Sequence, residues 1–195
     1  MNLATRLLWL RRLGLLCVGL TVLLMAMGAW VKANGAGLSC PDWPQCYGEW
    51  LPPFPSSENG GTWHGEPVAY DQAQVLYEWS HRLVASIVSV AVLSYAIVAV
   101  RGRELARPTR QLPAAAMCLV IFQAALGAIT VVTGNPPWAT TAHLITATAF
   151  LLTLTVGTCY AHLRPLPIDA PVEAPVRKIE YVYRDAPAGQ GPDHE

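Results

Sequence analysis

The chain has 195 residues, of which 53% are hydrophobic and 13% charged, about half the charged share of an average soluble domain. Thirteen Lys and Arg balance thirteen Asp and Glu to a formal net charge of zero, so the whole-chain balance gives no reason to propose a nucleic-acid partner or a steering field. Because these charges avoid the longest apolar stretches, the composition is that of a membrane protein.

Four windows exceed the roughly 18 apolar residues that cross a hydrocarbon core: about 13–31, 83–100, 112–133 and 139–163, none of which contains Asp, Glu, Lys or Arg. The first follows Arg6, Arg11 and Arg12, as a signal peptide would, but its apolar run is longer than the 7 to 15 residues of a typical signal core. Gly37-Leu38-Ser39 before Cys40 lacks the aliphatic residue that a lipoprotein cleavage site carries three positions ahead. The first window is therefore expected to remain as a helix.

The connecting segment, about 32–72, carries Cys40 and Cys46 with five residues between them. A disulfide is the first reading, worth roughly 2 to 3 kcal/mol for so short a loop in the chain-entropy model. It is either a staple that shapes the loop or a redox-active pair. A metal site is the weaker reading, since His64 is the sole loop histidine available to complete a ligand set. Cys17, Cys118 and Cys159 fall inside the apolar windows, where a free thiol behaves as a small buried hydrophobe.

The second helix is expected to begin around Tyr77-Glu78-Trp79-Ser80-His81-Arg82, which puts Glu78 and His81 on one helical face and Arg82 one turn from Glu78. Ionisable groups at membrane depth are expensive, face a bundle interior or a wet cavity, and mark functional sites by default. The competing reading is an interfacial Glu78–Arg82 pair with His81 snorkelling. The third helix has no ionisable group. Its Ala124 and Ala128 have the small-residue spacing that brings helices close, so packing is its expected role, with a flat macrocycle or a second subunit as other uses of that closeness.

In the fourth helix His143 lies about one turn inside the outer end, and His81 about two turns inside the outer end of the second. At 1.5 Å per residue their depths differ by less than about 6 Å, so two neutral imidazoles on facing helices reach one haem iron from both sides. His162 lies nineteen residues after His143, roughly 28 Å along the axis, and reads as interfacial together with Tyr160.

Arg6, Arg11 and Arg12 before the first helix, and Arg101, Arg103, Arg107 and Arg110 between the second and third, place both termini in the cytoplasm by the positive-inside bias. The segment 32–72 and the turn Gly134-Asn135-Pro136-Pro137-Trp138 then lie outside, where Trp43, Trp50, Trp63, Trp79 and Trp138 concentrate. The fold expected is an all-α membrane protein, a four-transmembrane-helix bundle over 1–163. Beyond it, 164–195 is rich in Pro and charge and reads as a disordered cytoplasmic tail, with a short docking element around 176–183 as the alternative for part of it.

Gly35-Ala36-Gly37-Leu38-Ser39-Cys40-Pro41-Asp42-Trp43-Pro44-Gln45-Cys46-Tyr47-Gly48 resembles the signature loop of bacterial haem A synthases, a family that includes mitochondrial assembly factors for cytochrome oxidase. Glu78-Trp79-Ser80-His81-Arg82 is similar to that family's Glu-x-x-His-Arg motif, and Leu126-Gly127 with Thr130-Val131, followed by His143-Leu144, resembles its third and fourth helices. The resemblance covers about 30–163 and implies oxidation of a haem O ring methyl to a formyl group. It makes Glu78 the catalytic carboxylate, His81 and His143 the haem iron ligands, Cys40 and Cys46 the loop pair, and Arg82 and Lys32 partners for haem propionates. The haem concerned is haem O as substrate, haem b, or both.

Typical members carry eight helices in two related halves, whereas this chain has the windows for one half. A homodimer, or a heterodimer with a separate half, is therefore expected, in the plasma membrane of a prokaryote and near haem O synthase or oxidase assembly components. Two other readings stand beside the enzyme: a non-catalytic membrane haem-b-binding subunit or haem carrier, and a structural assembly partner without haem.

Overall fold

The computed structural model describes residues 1–52, 62–64, 66–67 and 70–164; the expected tail and its 176–183 element lie outside these residues. Four helices, α1 (Leu3–Ala33), α2 (Gln72–Val100), α3 (Arg107–Val132) and α4 (Pro137–Leu163), are all long and apolar enough to cross a membrane. The fold is thus the expected four-helix membrane bundle. The α1–α2 connection adds a two-residue antiparallel ladder, β1 (Thr62–Trp63) with β2 (Glu66–Pro67).

Every helix starts earlier than its apolar window, and the reasons are local. The Asn2 side chain accepts from the Thr5 N–H at 2.8 Å and starts α1 ahead of its arginines. Asp71 and Gln74 form a reciprocal capping box that starts α2 in polar sequence. Pro108 and Pro137 sit in the first turns of α3 and α4, where a missing N–H costs nothing.

Helix α1 packs on α2 and α4, and α3 packs on the same two, while among the described residues the backbones of α1 and α3, and of α2 and α4, stay apart; across the latter pair the Tyr95 hydroxyl reaches Gly157. The helices therefore occupy the corners of a square, with α2 and α4 on one diagonal. At the end that carries the chain termini, Arg6 donates through Nη1 to the Val98 carbonyl at 3.0 Å and pairs with Glu104 at 2.8 Å. Arg11 donates to the last carbonyls of α4, at Ala161, His162 and Arg164. These arginines satisfy the carbonyls that a helix C-terminus leaves without partners.

The main apolar cluster lies toward that same end. It joins Leu7 and Leu10 of α1, Val92 and Ala99 of α2, Ala116 of α3 and Leu154 of α4, among others. Approach there is close enough that a Cβ on Gly14 of α1 would collide with Thr158 Oγ1 of α4. The outward faces carry Leu15, Leu16, Val22, Val90, Ile121, Val132 and Leu152, all exposed. Such an apolar belt suits a lipid solvent. Cys118 and Cys159 belong to this outer surface, so of the three helix cysteines Cys17 alone is the buried hydrophobe expected.

Candidate functional site

The opposite end, closed by the α1–α2 segment and the α3–α4 turn, holds the polar groups. Cys40 and Cys46 are joined by a disulfide with their Cα atoms 4.7 Å apart. Within the loop the Asp42 carboxylate accepts from the backbone N–H groups of Tyr47 (2.7 Å) and Gly48 (2.8 Å), whose φ values of 58° and 76° turn the chain back. Burial, with help from Tyr70 and Asp42, raises the Tyr47 hydroxyl above its ordinary pKa and keeps it neutral.

Gln74 and Trp79 make three of the contacts that fasten the loop to α2. Ser39 Oγ donates to the Gln74 carbonyl, Gln74 Nε2 to the Asn34 carbonyl, and Trp79 Nε1 to the Trp50 carbonyl. Cys40 and Cys46 pack with Val75 in a second buried cluster flanked by Tyr47, Tyr70 and Trp79. His64 is exposed, and no three His, Cys, Asp or Glu among the described residues come together in a metal-binding group.

Below the loop, Glu78 is 7% exposed and forms a 3.0 Å ion pair through Oε1 with Arg82 Nε. The Arg82 guanidinium also donates to the carbonyls of Asp42 (2.6 Å), Gln45 (2.7 Å) and Cys40 (3.1 Å). Lys32, in the last turn of α1, is exposed and has no ion pair among the described residues.

His81 is nine residues into α2 and His143 six into α4, a depth difference of about 4.5 Å at the helical rise. They stand on the diagonal pair of helices, within electrostatic range of each other. Each ring lies against a glycine of a neighbouring helix. A Cβ on Gly28 of α1 would meet His81 Cε1 at 3.1 Å, and one on Gly127 of α3 would meet His143 Cε1 at 3.6 Å. The Nδ1 atoms of both histidines are buried without a hydrogen-bond partner. Unpaired buried polar atoms cost about 1 to 3 kcal/mol each, so two imidazoles left this way are poor structural residues.

A residue with no site role in the sequence reading joins them. Gln123 of α3, 8% exposed, donates from Nε2 to the His143 carbonyl (3.0 Å) and to Thr146 Oγ1 (2.7 Å). Its own Oε1 is buried and unpartnered. The available signal was a lone amide inside an apolar helix, which is costly unless bonded. The α3 face turned inward carries Gln123 and Gly127, one position before each of the alanines expected to pack, and Ala124 is exposed. His162 stands far from this end, with Nδ1 2.9 Å from the Thr158 carbonyl, and lines a separate cavity of about 250 Å³ between α1 and α4.

The family of cytochrome oxidase assembly proteins matches residues 11–182, most of the chain. The chain belongs to this family. Among similar proteins, a haem A synthase of Shewanella oneidensis is 30% identical over 141 residues, 70% of this chain and 40% of that protein. One of Methylobacterium sp. (strain 4-46) is 34% identical over 155 residues, 80% of this chain and 41% of its own length. One of Methylorubrum populi is 30% identical over 189 residues, covering 93% and 45%. A protohaem IX farnesyltransferase of Halobacterium salinarum is 25% identical over 134 residues, 69% of this chain and 26% of that protein. The chain thus spans less than half the length of these curated relatives. No solved structure matches it.

Proposed function

We propose that this member of the cytochrome oxidase assembly family acts in haem A synthesis, oxidising a ring methyl of haem O to a formyl group. The observation that carries the reading is the pair His81 and His143: similar depth, diagonal helices, glycine-backed rings, and buried Nδ1 atoms without partners. That donor set fits a haem, whose iron both imidazoles would ligate and whose redox chemistry the iron would supply. Gly28 and Gly127 leave the flank of each ring free of a Cβ, which suits a flat macrocycle.

Glu78 is the carboxylate on the same helix face as His81, and its Oε2 lies outside the Arg82 ion pair. In this reading it takes a proton from the water that attacks the oxidised methyl carbon and stabilises the charge developing there. The net change combines methyl and water into formyl and releases four electrons and four protons, the electrons going to a separate redox centre. Lys32 remains a candidate for a propionate contact, whereas four of the five Arg82 donors are engaged by Glu78 and the loop.

The chain is read as lying in a prokaryotic plasma membrane with both termini cytoplasmic, which the gathering of Arg6, Arg11, Arg12, Arg101, Arg103, Arg107 and Arg110 at one end supports. It is further read as pairing with a second copy or a separate four-helix half. The name haem A synthase, carried by similar proteins, supports haem A as the product.

The test is chromatography of haems extracted from a strain that makes haem O but no haem A, with and without this chain. Haem A or its hydroxylated precursor is expected with the chain, and its absence overturns the proposal. If Glu78→Gln forms as much product as the parent, Glu78 is not the catalytic carboxylate; a chain that binds haem and forms neither product is a haem carrier instead.

A further inference from the structure

Arginine presents five N–H donors in one rigid plane, and in Arg82 four are engaged. Nε holds Glu78 Oε1, both Nη1 hydrogens serve the carbonyls of Asp42 and Gln45, and Nη2 holds the carbonyl of Cys40. All three carbonyls belong to the segment closed by the Cys40–Cys46 disulfide. The guanidinium therefore fills the underside of a covalent ring and holds the carboxylate with its remaining edge.

This arrangement separates two roles for the residue. Binding a propionate through a fork requires two parallel N–H groups directed at one carboxylate, and one N–H is left. Positioning a carboxylate requires the guanidinium itself to be fixed, and here three backbone acceptors fix it. Three carbonyl dipoles that converge on one point repel each other unless a cation sits among them, so loop and cation depend on each other. The Arg82 and Glu78 side chains are 13% and 9% exposed, which keeps water from replacing these bonds.

We propose that Arg82 is a positioning residue that ties the orientation of Glu78 to the closed Cys40–Cys46 ring. The disulfide shapes the loop, the loop carbonyls aim the guanidinium, and the guanidinium aims the carboxylate. Opening the ring scatters the carbonyls and releases Glu78 without touching either histidine. The activity arm of the test rests on the proposed haem O oxidation; the thiol arm does not.

In the thiol arm, purified protein in detergent is treated with dithiothreitol, whose dithiol gives two electrons and two protons to the Cys40 and Cys46 sulfurs and becomes a cyclic disulfide. Arg82→Gln is expected to speed this reduction about tenfold, because the ring loses three bonds to its support. Arg82→Lys keeps the charge and the fold but not the planar fork, and is expected to fall between. Unchanged rates in both variants overturn the proposal.

In the activity arm, Arg82→Gln and the double variant Cys40→Ser/Cys46→Ser each lower haem O turnover at saturation about tenfold, with haem affinity held within about twofold. Combining them lowers turnover no further than Arg82→Gln alone, since both cut the same chain of contacts. Losses that multiply to about a hundredfold overturn the proposal, as does weakened haem affinity with normal turnover, which makes Arg82 a propionate ligand. Absence of haem O turnover in the parent protein defeats the functional proposal and leaves the thiol arm to decide this one.

Discussion

The two ends of the bundle are built on opposite principles. At the end that carries the termini, apolar side chains fill the space between all four helices, and Arg6 and Arg11 close the helix ends by binding carbonyls. At the loop end, His81 Nδ1, His143 Nδ1 and Gln123 Oε1 are buried without partners. The difference lies in what fills the space between the helices: apolar side chains close the first end, where Tyr95 Oη and Thr109 Oγ1 are also buried without partners, whereas two imidazoles and an amide gather at the loop end.

Breaking the loop end should leave the fold and abolish binding. In His81→Ala/His143→Ala the haem Soret band is expected to vanish, while the helical circular dichroism spectrum of the purified protein is retained. Loss of helicity in this variant would show that the histidines are structural and dissolve the contrast.

Breaking the other end should do the reverse. Leu154→Ala removes a fully buried side chain from the main cluster and is expected to cost about 2 to 5 kcal/mol in denaturant unfolding. Haem affinity measured under folding conditions should stay close to that of the parent.

A finer division lies within the loop end. An added methyl at Gly28 presses on His81 at 3.1 Å, whereas one at Gly127 meets His143 at an ordinary 3.6 Å. Gly28→Ala is expected to weaken haem binding about tenfold, which corresponds to about 1.4 kcal/mol, and Gly127→Ala by less. Spectral titration of the two variants side by side reads the difference; equal affinities would mean that the rings are free to move.

The smallest effect concerns Glu104. Its own backbone N–H, and then Arg6, hold its carboxyl below the ordinary pKa. A depressed carboxyl adds stability above its unfolded pKa and loses it as pH falls through the folded one. Glu104→Gln should therefore lower Tm slightly at pH 7, with the gap closing as pH falls through and below the usual carboxylate range. Because Glu104 is exposed, salt should shrink the gap too.

The helices and the His81, Glu78 and His143 constellation were legible in the sequence because long uncharged windows leave few other places for an ionisable group. What stayed hidden depends on contacts between distant segments. Arg6 and Arg11 read as topology signals, but they also cap α2 and α4, which lengthens α1 into charged sequence. Arg82 read as the ion-pair partner of Glu78 and, through the resemblance, as a propionate contact; its acceptors in the loop stayed hidden because they are backbone carbonyls, which no side-chain pattern reports. The third helix read as packing because Ala124 and Ala128 have the spacing of a helix interface, and only the rotation of α3 decides that Gln123 rather than Ala124 faces inward.

The arginine seam also orders events in time. Arg11 lies 150 residues before its acceptor Ala161, and Arg6 lies 92 before Val98. Contacts of such separation close late, since the intervening chain must already be ordered. A nascent chain that ends before α4 has an arginine without its carbonyls and one histidine without its counterpart, so sealing the bundle and bringing the two histidines together are the same step of biosynthesis.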